Sequence, residues 1–172
     1  MRAFPLTVTA LAAVLVLTAC DNGGGDKNKG KDNNACADGG VSVQIGAASL
    51  APAAGDTGEV PVSITNQSTP CTLEGFPRVD LAAGSASATV SAQQGAKAQK
   101  LKLAKGDSAS FTISYVRGKA GDKASLEAKT VKITLPGAKE AQTFPWSYGP
   151  VAGKGSADKP NATVSTFQQV GD

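Results

Sequence analysis

The chain has 172 residues, a formal net charge of +3 and no histidine. A charge this small does not indicate a nucleic-acid-binding protein, and the lack of histidine excludes the Ser-His-Asp triad, the Cys-His pair and the common zinc sites. Only 5% of the residues are aromatic, so a core must be built mainly from Val, Leu, Ile and Ala.

The first segment is typical of a bacterial export signal. Arg2 precedes an apolar run, residues 3–17, that is too short to cross a membrane comfortably as a mature helix. The run ends in Leu-Thr-Ala-Cys, which resembles a bacterial lipobox. We therefore interpret residues 1–19 as a lipoprotein signal peptide and Cys20 as the lipidated first residue of a mature protein on the extracellular face of the cell membrane. The alternative is an ordinary signal peptide with a chance cysteine.

Residues 21–35 predict a disordered tether. They comprise four Gly, four Asn, three Asp, three Lys and one Ala. Such a composition cannot bury enough apolar surface to offset the entropy lost on ordering. Cys20 and this tether thus form a region over residues 20–35, and residues 36–172 are long enough for a single domain.

Two cysteines, Cys36 and Cys71, remain once Cys20 is assigned to the lipid. An even pair in an oxidising compartment favours a disulfide. By the chain-entropy model, closing a loop of about 36 residues stabilises a fold by roughly 3.5–4 kcal/mol. The alternative is a reactive thiol at Cys71, for which the chain offers no activating histidine.

Apolar and polar residues alternate with a period of two along residues 36–172, which predicts β-strands. Clear alternation covers residues 41–45, 60–65, 100–103, 111–115 and 131–135; residues 79–81 and 86–91 are weaker, and residues 162–170 have an ambiguous period. No segment has a sustained helical apolar stripe. Seven to eight short antiparallel strands, each with one side exposed to solvent, predict an all-β sandwich. Pro61 and the pair Lys100 and Lys102 indicate protected sheet edges.

Several motifs in residues 36–172 resemble those of a known family. These are Cys36 before the first strand, the strand end Ile64-Thr65-Asn66, the block PCTLEGFP over residues 70–77, and LAKGDSASF over residues 103–111. Together they resemble the domain-of-unknown-function family 4232, which is common in secreted lipoproteins of actinobacteria. The resemblance covers most of residues 36–135. It implies an immunoglobulin-like sandwich, a Cys36–Cys71 bridge and a cell-envelope setting, and it implies no activity.

Three carboxylates, Glu74, Asp80 and Asp107, lie near ordered segments and are the candidates for catalysis by acid residues. We favour a structural interpretation of all three. Glu74 is expected in a turn after Cys71, Asp107 in another turn, and Asp80 on the outer side of a strand, with no local grouping that supports catalysis. No calcium-loop or phosphate-loop spacing is present, so we expect neither a metal nor a cofactor.

Trp146 and Tyr148 are the candidate ligand-binding residues. Two positions apart on a strand, they would face the same side and form an aromatic platform for a sugar or a partner side chain. We favour the other interpretation, in which Trp146 closes one end of the core, because tryptophan is highly buried on average.

The sequence therefore predicts a non-catalytic, lipid-anchored β-sandwich of the cell envelope that binds a protein or a wall component. Its membrane contact is made through the N-terminal lipid, and nucleic acid is not a partner. Two alternatives stay open: an extracellular enzyme that uses carboxylates, and a purely structural envelope protein.

Overall fold

The computed structural model of the chain describes residues 35–37 and 39–170. The predicted signal peptide, Cys20 and the predicted tether up to residue 34 lie outside these residues. Ala35, the last residue of the predicted tether, forms a parallel β-bridge with Thr72. No helix within the described ranges is long and apolar enough to cross a membrane.

The described residues form strands joined by turns. In chain order the strands are β1 (Val41–Ile45), β2 (Thr57–Asn66), β3 (Cys71–Gly75), β4 (Arg78–Ala83), β5 (Ala86–Thr89), β6 (Ser91–Ala92), β7 (Gln99–Leu103), β8 (Ser108–Val116), β9 (Ser125–Leu126), β10 (Thr130–Thr134), β11 (Gln142–Pro145), β12 (Val151–Ala152), β13 (Ala162–Val164) and β14 (Gln168–Gln169).

Two sheets carry most of the strands. In the six-stranded sheet the order is β1-β2-β8-β13-β6, and β14 pairs with β8 as well. In the four-stranded sheet the order is β11-β10-β4-β5, and two small sheets pair β3 with β7 and β9 with β12. All pairs are antiparallel except β13 with β6, which is parallel.

One apolar core lies between the sheets, because each strand points alternate side chains inward. The six-stranded sheet contributes Val60, Val62, Ile64, Phe111 and Ile113 to it, and the four-stranded sheet contributes Val79, Leu81, Val131 and Ile133. All of these side chains are buried. The expected all-β fold is confirmed, with antiparallel sheets packed over a shared core as in a sandwich.

The pairing of β2 with β8 defines the two ends of this sandwich. Thr65 lies opposite Ser108 at one end, and Thr57 lies opposite Val116 at the other. We call the first the disulfide end, because Cys71 pairs with Leu103 close to Asn66 there. We call the second the aromatic end, because Tyr115 and Trp146 meet there.

The strands differ from the predicted ones in three places. Residues 71–75, expected as a turn that holds Glu74, form β3 and pair with β7 over five residues. The ambiguous segment 162–170 splits into β13 and β14, since Phe167 between them turns into the core and packs edge-on against Phe111 at 5.8 Å. Pairing also adds the four-residue strand β11 and the two-residue strands β9 and β12.

The lack of an N–H on Pro61 had suggested that this residue lies on a sheet edge. That prediction is wrong. Pro61 belongs to β2, which is paired on both sides. The backbone N–H of Gly46 donates to the carbonyl of Pro61 at 2.9 Å, so the nitrogen of Pro61 faces the point where the ladder with β1 ends. A proline is accommodated in this central strand because no ladder bond is needed from it there. Lys100 and Lys102 lie on β7, an edge strand as expected.

Candidate functional site

The disulfide end begins with the bond between Cys36 and Cys71, which confirms the predicted pairing. The two Cα atoms are 4.9 Å apart, and Cys36 is buried in the core. The backbone N–H of Cys36 also donates to the carbonyl of Thr72 at 3.0 Å. The bridge therefore attaches the start of the domain to β3, a strand that the sequence pattern had not revealed.

Asn66 is the buried polar residue of this end, with 1% of its surface exposed. Its side-chain amide donates to the carbonyls of Thr69, Leu103 and Ala104 at 2.9, 3.0 and 3.1 Å. Its Oδ1 accepts the backbone N–H of Ser68 at 3.0 Å. Ser68 and Thr69 lie in the loop before β3, Leu103 ends β7 and Ala104 begins the loop to β8. Asn66 therefore holds the β2–β3 loop to the end of β7 and the loop that follows it.

A pocket of about 270 Å³ lies beside the disulfide. Its walls include Cys36, Pro70 and Cys71, and the described residues that line it carry no charge. The one buried polar side chain in the wall, Asn66, already uses both its oxygen and its amide in the bonds described above. This pocket therefore offers little to fix the orientation of a ligand.

The aromatic end contains both candidate ligand-binding residues. Trp146 is 5% exposed and lies between two rings, Tyr115 at 5.2 Å and Tyr148 at 4.8 Å, both nearly perpendicular to it. Its indole N–H donates to the carbonyl of Gly149 at 2.8 Å, and the hydroxyl of Tyr115 donates to the carbonyl of Tyr148 at 3.0 Å. Burial, and then the proximity of Tyr115, raise the pKa of Tyr148.

This arrangement agrees with the interpretation of Trp146 as a residue that closes the core. A stacking platform needs an exposed ring face, and both neighbouring rings and the core occupy the surroundings of Trp146. Tyr148 is partly buried against the same core. β11 ends at Pro145, so the two residues are not on a strand as predicted. Their rings are nevertheless in contact, and the buried indole is not available to stack on a sugar.

Asp80 lies in the middle of the outer side of the four-stranded sheet, as expected. It pairs with Lys132 on one side and Thr89 on the other, and it forms an ion pair of 2.9 Å with Arg78 and accepts a hydrogen bond from Thr89. Partial burial acts to raise the pKa of Asp80, but the bonds from Arg78 and Thr89 and the charges of Arg78 and Lys132 outweigh it, so the pKa is lowered. Asp80 is therefore a stable anion at neutral pH.

The other two carboxylates also have structural partners. Glu74 lies on β3 rather than in a turn, and it pairs across the strands with Lys100 at 3.2 Å. Asp107 is in a turn, as expected, and accepts the backbone N–H of Ala104 at 2.9 Å. Among the described residues, no three His, Cys, Asp or Glu side chains are grouped so that they could hold a metal ion.

The outer side of the six-stranded sheet is almost free of charge. Its outward positions on β1, β2, β8 and β13 carry one charged residue, Glu59, and are otherwise mostly hydroxyl and amide side chains: Ser42, Gln44, Thr57, Ser63, Thr65, Ser108, Ser110, Thr112, Ser114 and Thr163. Thr65 and Ser108 are hydrogen-bonded across the strands at 2.9 Å. We call this surface the hydroxyl face. In contrast, the outer side of the four-stranded sheet carries Arg78, Asp80 and Lys132.

Sequence reasoning did not identify the hydroxyl face as a unit. The signal was present, because the polar position in each alternating segment is repeatedly Ser, Thr or Gln. What was missing was the strand order, which places β1, β2, β8 and β13 side by side.

One protein family matches most of the chain. Residues 36–168 match the family described as domain of unknown function (DUF4232). The chain belongs to the DUF4232 family. The match confirms the resemblance seen in the motifs around Cys36, Asn66 and Cys71, and it continues past residue 135 to include Trp146 and Tyr148. None of the curated proteins and none of the solved structures compared with the chain matches it.

One edge of the DUF4232 domain lacks the usual protection against strand pairing. Within the described residues β1 pairs with β2 alone, and residues 39–55, which contain β1, include no charged residue. Val41 and Ile45 are partly exposed, and Leu50 just beyond them is 60% exposed. This open edge adjoins the hydroxyl face, so the two form one continuous surface on which Glu59 is the one charged residue among the strand positions named above.

Proposed function

We propose that the mature protein is a non-catalytic DUF4232 domain of the cell envelope, anchored by a lipid on Cys20, that binds an uncharged protein or wall component through its hydroxyl face. The observation that carries the proposal is the separation of charge between the two sheets. A polar face on which Glu59 is the one charge can be covered by a neutral partner at a lower desolvation cost than the other sheet, where Arg78, Asp80 and Lys132 would all have to be desolvated.

The proposed location is supported by the N-terminal sequence and by the disulfide. Leu-Thr-Ala-Cys at residues 17–20 has the order of a lipobox. A structural disulfide such as Cys36–Cys71 persists in oxidising compartments and is rare in the cytosol. Both features favour a protein that is exported and held at the outer side of the membrane.

The proposed lack of catalysis is supported by the state of the carboxylates. Glu74 and Asp80 are paired with cations and Asp107 caps a turn. The lowered pKa of Asp80 makes it a weak proton acceptor and leaves it unprotonated at neutral pH, which is the opposite of what a general acid needs.

The anchor is tested by intact-mass analysis and membrane fractionation of the exported protein. We expect the wild-type chain to carry a diacylglycerol on Cys20 and to remain with membranes, and the Cys20→Ser chain to lack the lipid and to leave them. Wild-type protein without lipid would contradict the anchor but would leave the binding test below unaffected.

Binding is tested with the Cys20→Ser protein on isolated cell envelopes. Ser110→Glu places a charge in the middle of the hydroxyl face, and we expect it to weaken binding by about tenfold or more, because the new charge would be desolvated without a partner. Thr143→Glu adds the same charge to the outer side of the four-stranded sheet and should leave binding unchanged. Equal effects of the two variants, or turnover of an envelope component that depends on Glu74 or Asp80, would contradict the proposal.

A further inference from the structure

The free edge of β1 presents its backbone groups in a regular pattern. Gly46 and Gly40 bond to β2 through their backbone, Gly46 as donor to Pro61 and Gly40 as acceptor from Gln67. Hydrogen-bonding direction alternates along a strand, so Ser42 and Gln44 also face β2. The N–H and C=O groups of Val41, Val43 and Ile45 therefore point away from the sheet, towards the open edge.

Two of the other edge strands have features that discourage pairing, and a third, β5, has only four residues. β7 carries Lys100 and Lys102, and β11 ends in Pro145. Lysine and proline are devices by which proteins block edge-to-edge association. β1, with the sequence VSVQI, has neither a charge nor a proline. An edge without protection is suited to accept another strand.

We propose that β1 pairs in antiparallel fashion with β1 of a second copy of this chain, around a two-fold axis at Val43. In this register Val43 lies opposite Val43 of the second copy, and Val41 lies opposite Ile45. The backbone N–H and C=O groups of all three residues point towards the open edge, so the pairing forms about six hydrogen bonds between the copies. The six-stranded sheet of one copy then continues into that of the other.

The side chains of β1 are compatible with this self-pairing on both sides of the sheet. On the core side Val43 is 7% exposed and Val41 and Ile45 are partly exposed, and a second strand would cover this remaining apolar surface. On the outer side Ser42 of one copy lies opposite Gln44 of the other. Because these two residues are uncharged, no like charges meet across the interface.

The composition of the chain favours a second copy over the chain's own N-terminal segment as the occupant. Residues 21–34 are rich in Gly, Asn, Asp and Lys, which are poor strand formers. Pairing of two five-residue edges buries less than a standard stable interface, so the dimer is weak in solution. The lipid anchor proposed above would raise its population at the membrane by concentrating the protein; the pairing itself does not depend on that anchor.

Disulfide trapping tests the register in the soluble Cys20→Ser protein, in which Cys36 and Cys71 are bonded to each other. Ser42 and Gln44 of the two copies form non-hydrogen-bonded pairs, whose Cα atoms lie about 4.5 Å apart, within the range for a disulfide. A mixture of Ser42→Cys and Gln44→Cys proteins at millimolar concentration should cross-link at least about fivefold more than either protein alone. Equal yields, or no cross-linked dimer, would overturn the proposal.

Charge reversal provides a second test that does not rely on trapping. Ser42→Lys with Gln44→Lys places like charges opposite each other at two places in the dimer and should weaken self-association by on the order of fivefold. Ser42→Lys with Gln44→Glu places opposite charges there and should restore or strengthen it. Sedimentation equilibrium measures association, and the fluorescence of Trp146 verifies that each variant is folded.

Three further outcomes would overturn the proposal: equal association of both charge variants, a monomer at every concentration, and cross-links from β1 to another envelope protein without any to a second copy. The last would assign the edge to a partner's strand. Each arm uses unlipidated protein and measures contact between copies. Self-association can therefore fail while anchoring and envelope binding through the hydroxyl face succeed. Self-association can equally be detected when anchoring and envelope binding fail.

Discussion

Asn66 is the single residue on which the loops of the disulfide end depend most. Its amide group donates to three backbone carbonyls, one in the loop before β3, one at the last residue of β7 and one in the loop after β7. Asn66→Asp keeps the shape and the acceptor for Ser68 but replaces the donor with an oxygen that faces those carbonyls. We expect the free energy of unfolding to fall by about 3 kcal/mol at neutral pH, because a buried charge and unpaired carbonyls result. Urea denaturation followed by Trp146 fluorescence measures this change.

The neighbouring Gln67→Glu variant is the matched control for Asn66→Asp. Gln67 is exposed, so the same added charge should change the free energy of unfolding by no more than about 0.5 kcal/mol. If both variants lose a similar small amount, Asn66 does not hold the loops in the way its hydrogen bonds indicate.

At the scale of strands, the alternation of apolar and polar residues predicted the major elements because one face of each is buried. β1, β2, β8 and β10 were all found this way. β3 was missed because Pro70 and Gly75 mark turns at its ends and its inward side rests mainly on Leu73. Its existence depends on pairing with β7 and on the bond to Cys36, which are contacts between distant parts of the chain. The short strands β9 and β12 likewise depend on each other.

The close approach of β2 to the ring of Tyr115 on β8 gives a prediction at this scale. A Cβ added at Gly58 would lie 2.5 Å from Cε1 and 2.7 Å from the hydroxyl oxygen of Tyr115. The ring has little freedom to move, because its hydroxyl is bonded to Tyr148 and it packs against Trp146. Gly58→Ala should therefore lower the free energy of unfolding by about 2–3 kcal/mol, the cost of overpacking a core, and should alter the fluorescence of Trp146.

Gly40→Ala is the control for Gly58→Ala. The nearest atom to a Cβ at Gly40 is Cβ of Ser68 at 3.6 Å, an ordinary contact, so its effect should stay within about 0.5 kcal/mol. An equally stable Gly58→Ala protein with unchanged fluorescence would show that the aromatic end is not tightly packed.

At the scale of the whole molecule, the sequence predicted covalent and local features better than surfaces. The Cys36–Cys71 bond followed from counting cysteines, and the burial of Trp146 followed from the usual preference of tryptophan. The hydroxyl face and the free edge of β1 could not be predicted, because both are defined by which strands are neighbours. A segment such as VSVQI looks the same in the sequence whether it lies at an edge or in the centre of a sheet.

The disulfide is the feature whose removal should affect the whole domain. It joins the residues before β1 to β3 and closes a loop that contains β1 and β2. We expect reduction to lower the free energy of unfolding by about 3–4 kcal/mol, because the unfolded chain regains the entropy of that loop. The dependence of this free energy on urea should become steeper, since a chain without the cross-link exposes more surface on unfolding.

A Cys36→Ala, Cys71→Ala protein distinguishes the cross-link from other effects of the reductant. It should reproduce the lower stability, with an additional loss from the buried side chain of Cys36, and adding reductant to it should change nothing further. Because the hydroxyl face is built from β2, β8 and their neighbours rather than from the bridge, envelope binding should persist wherever this variant is folded. Two alkylatable thiols in natively exported wild-type protein would contradict the assignment of the bond, and an unchanged stability after reduction would contradict its role in holding β3 to the start of the domain.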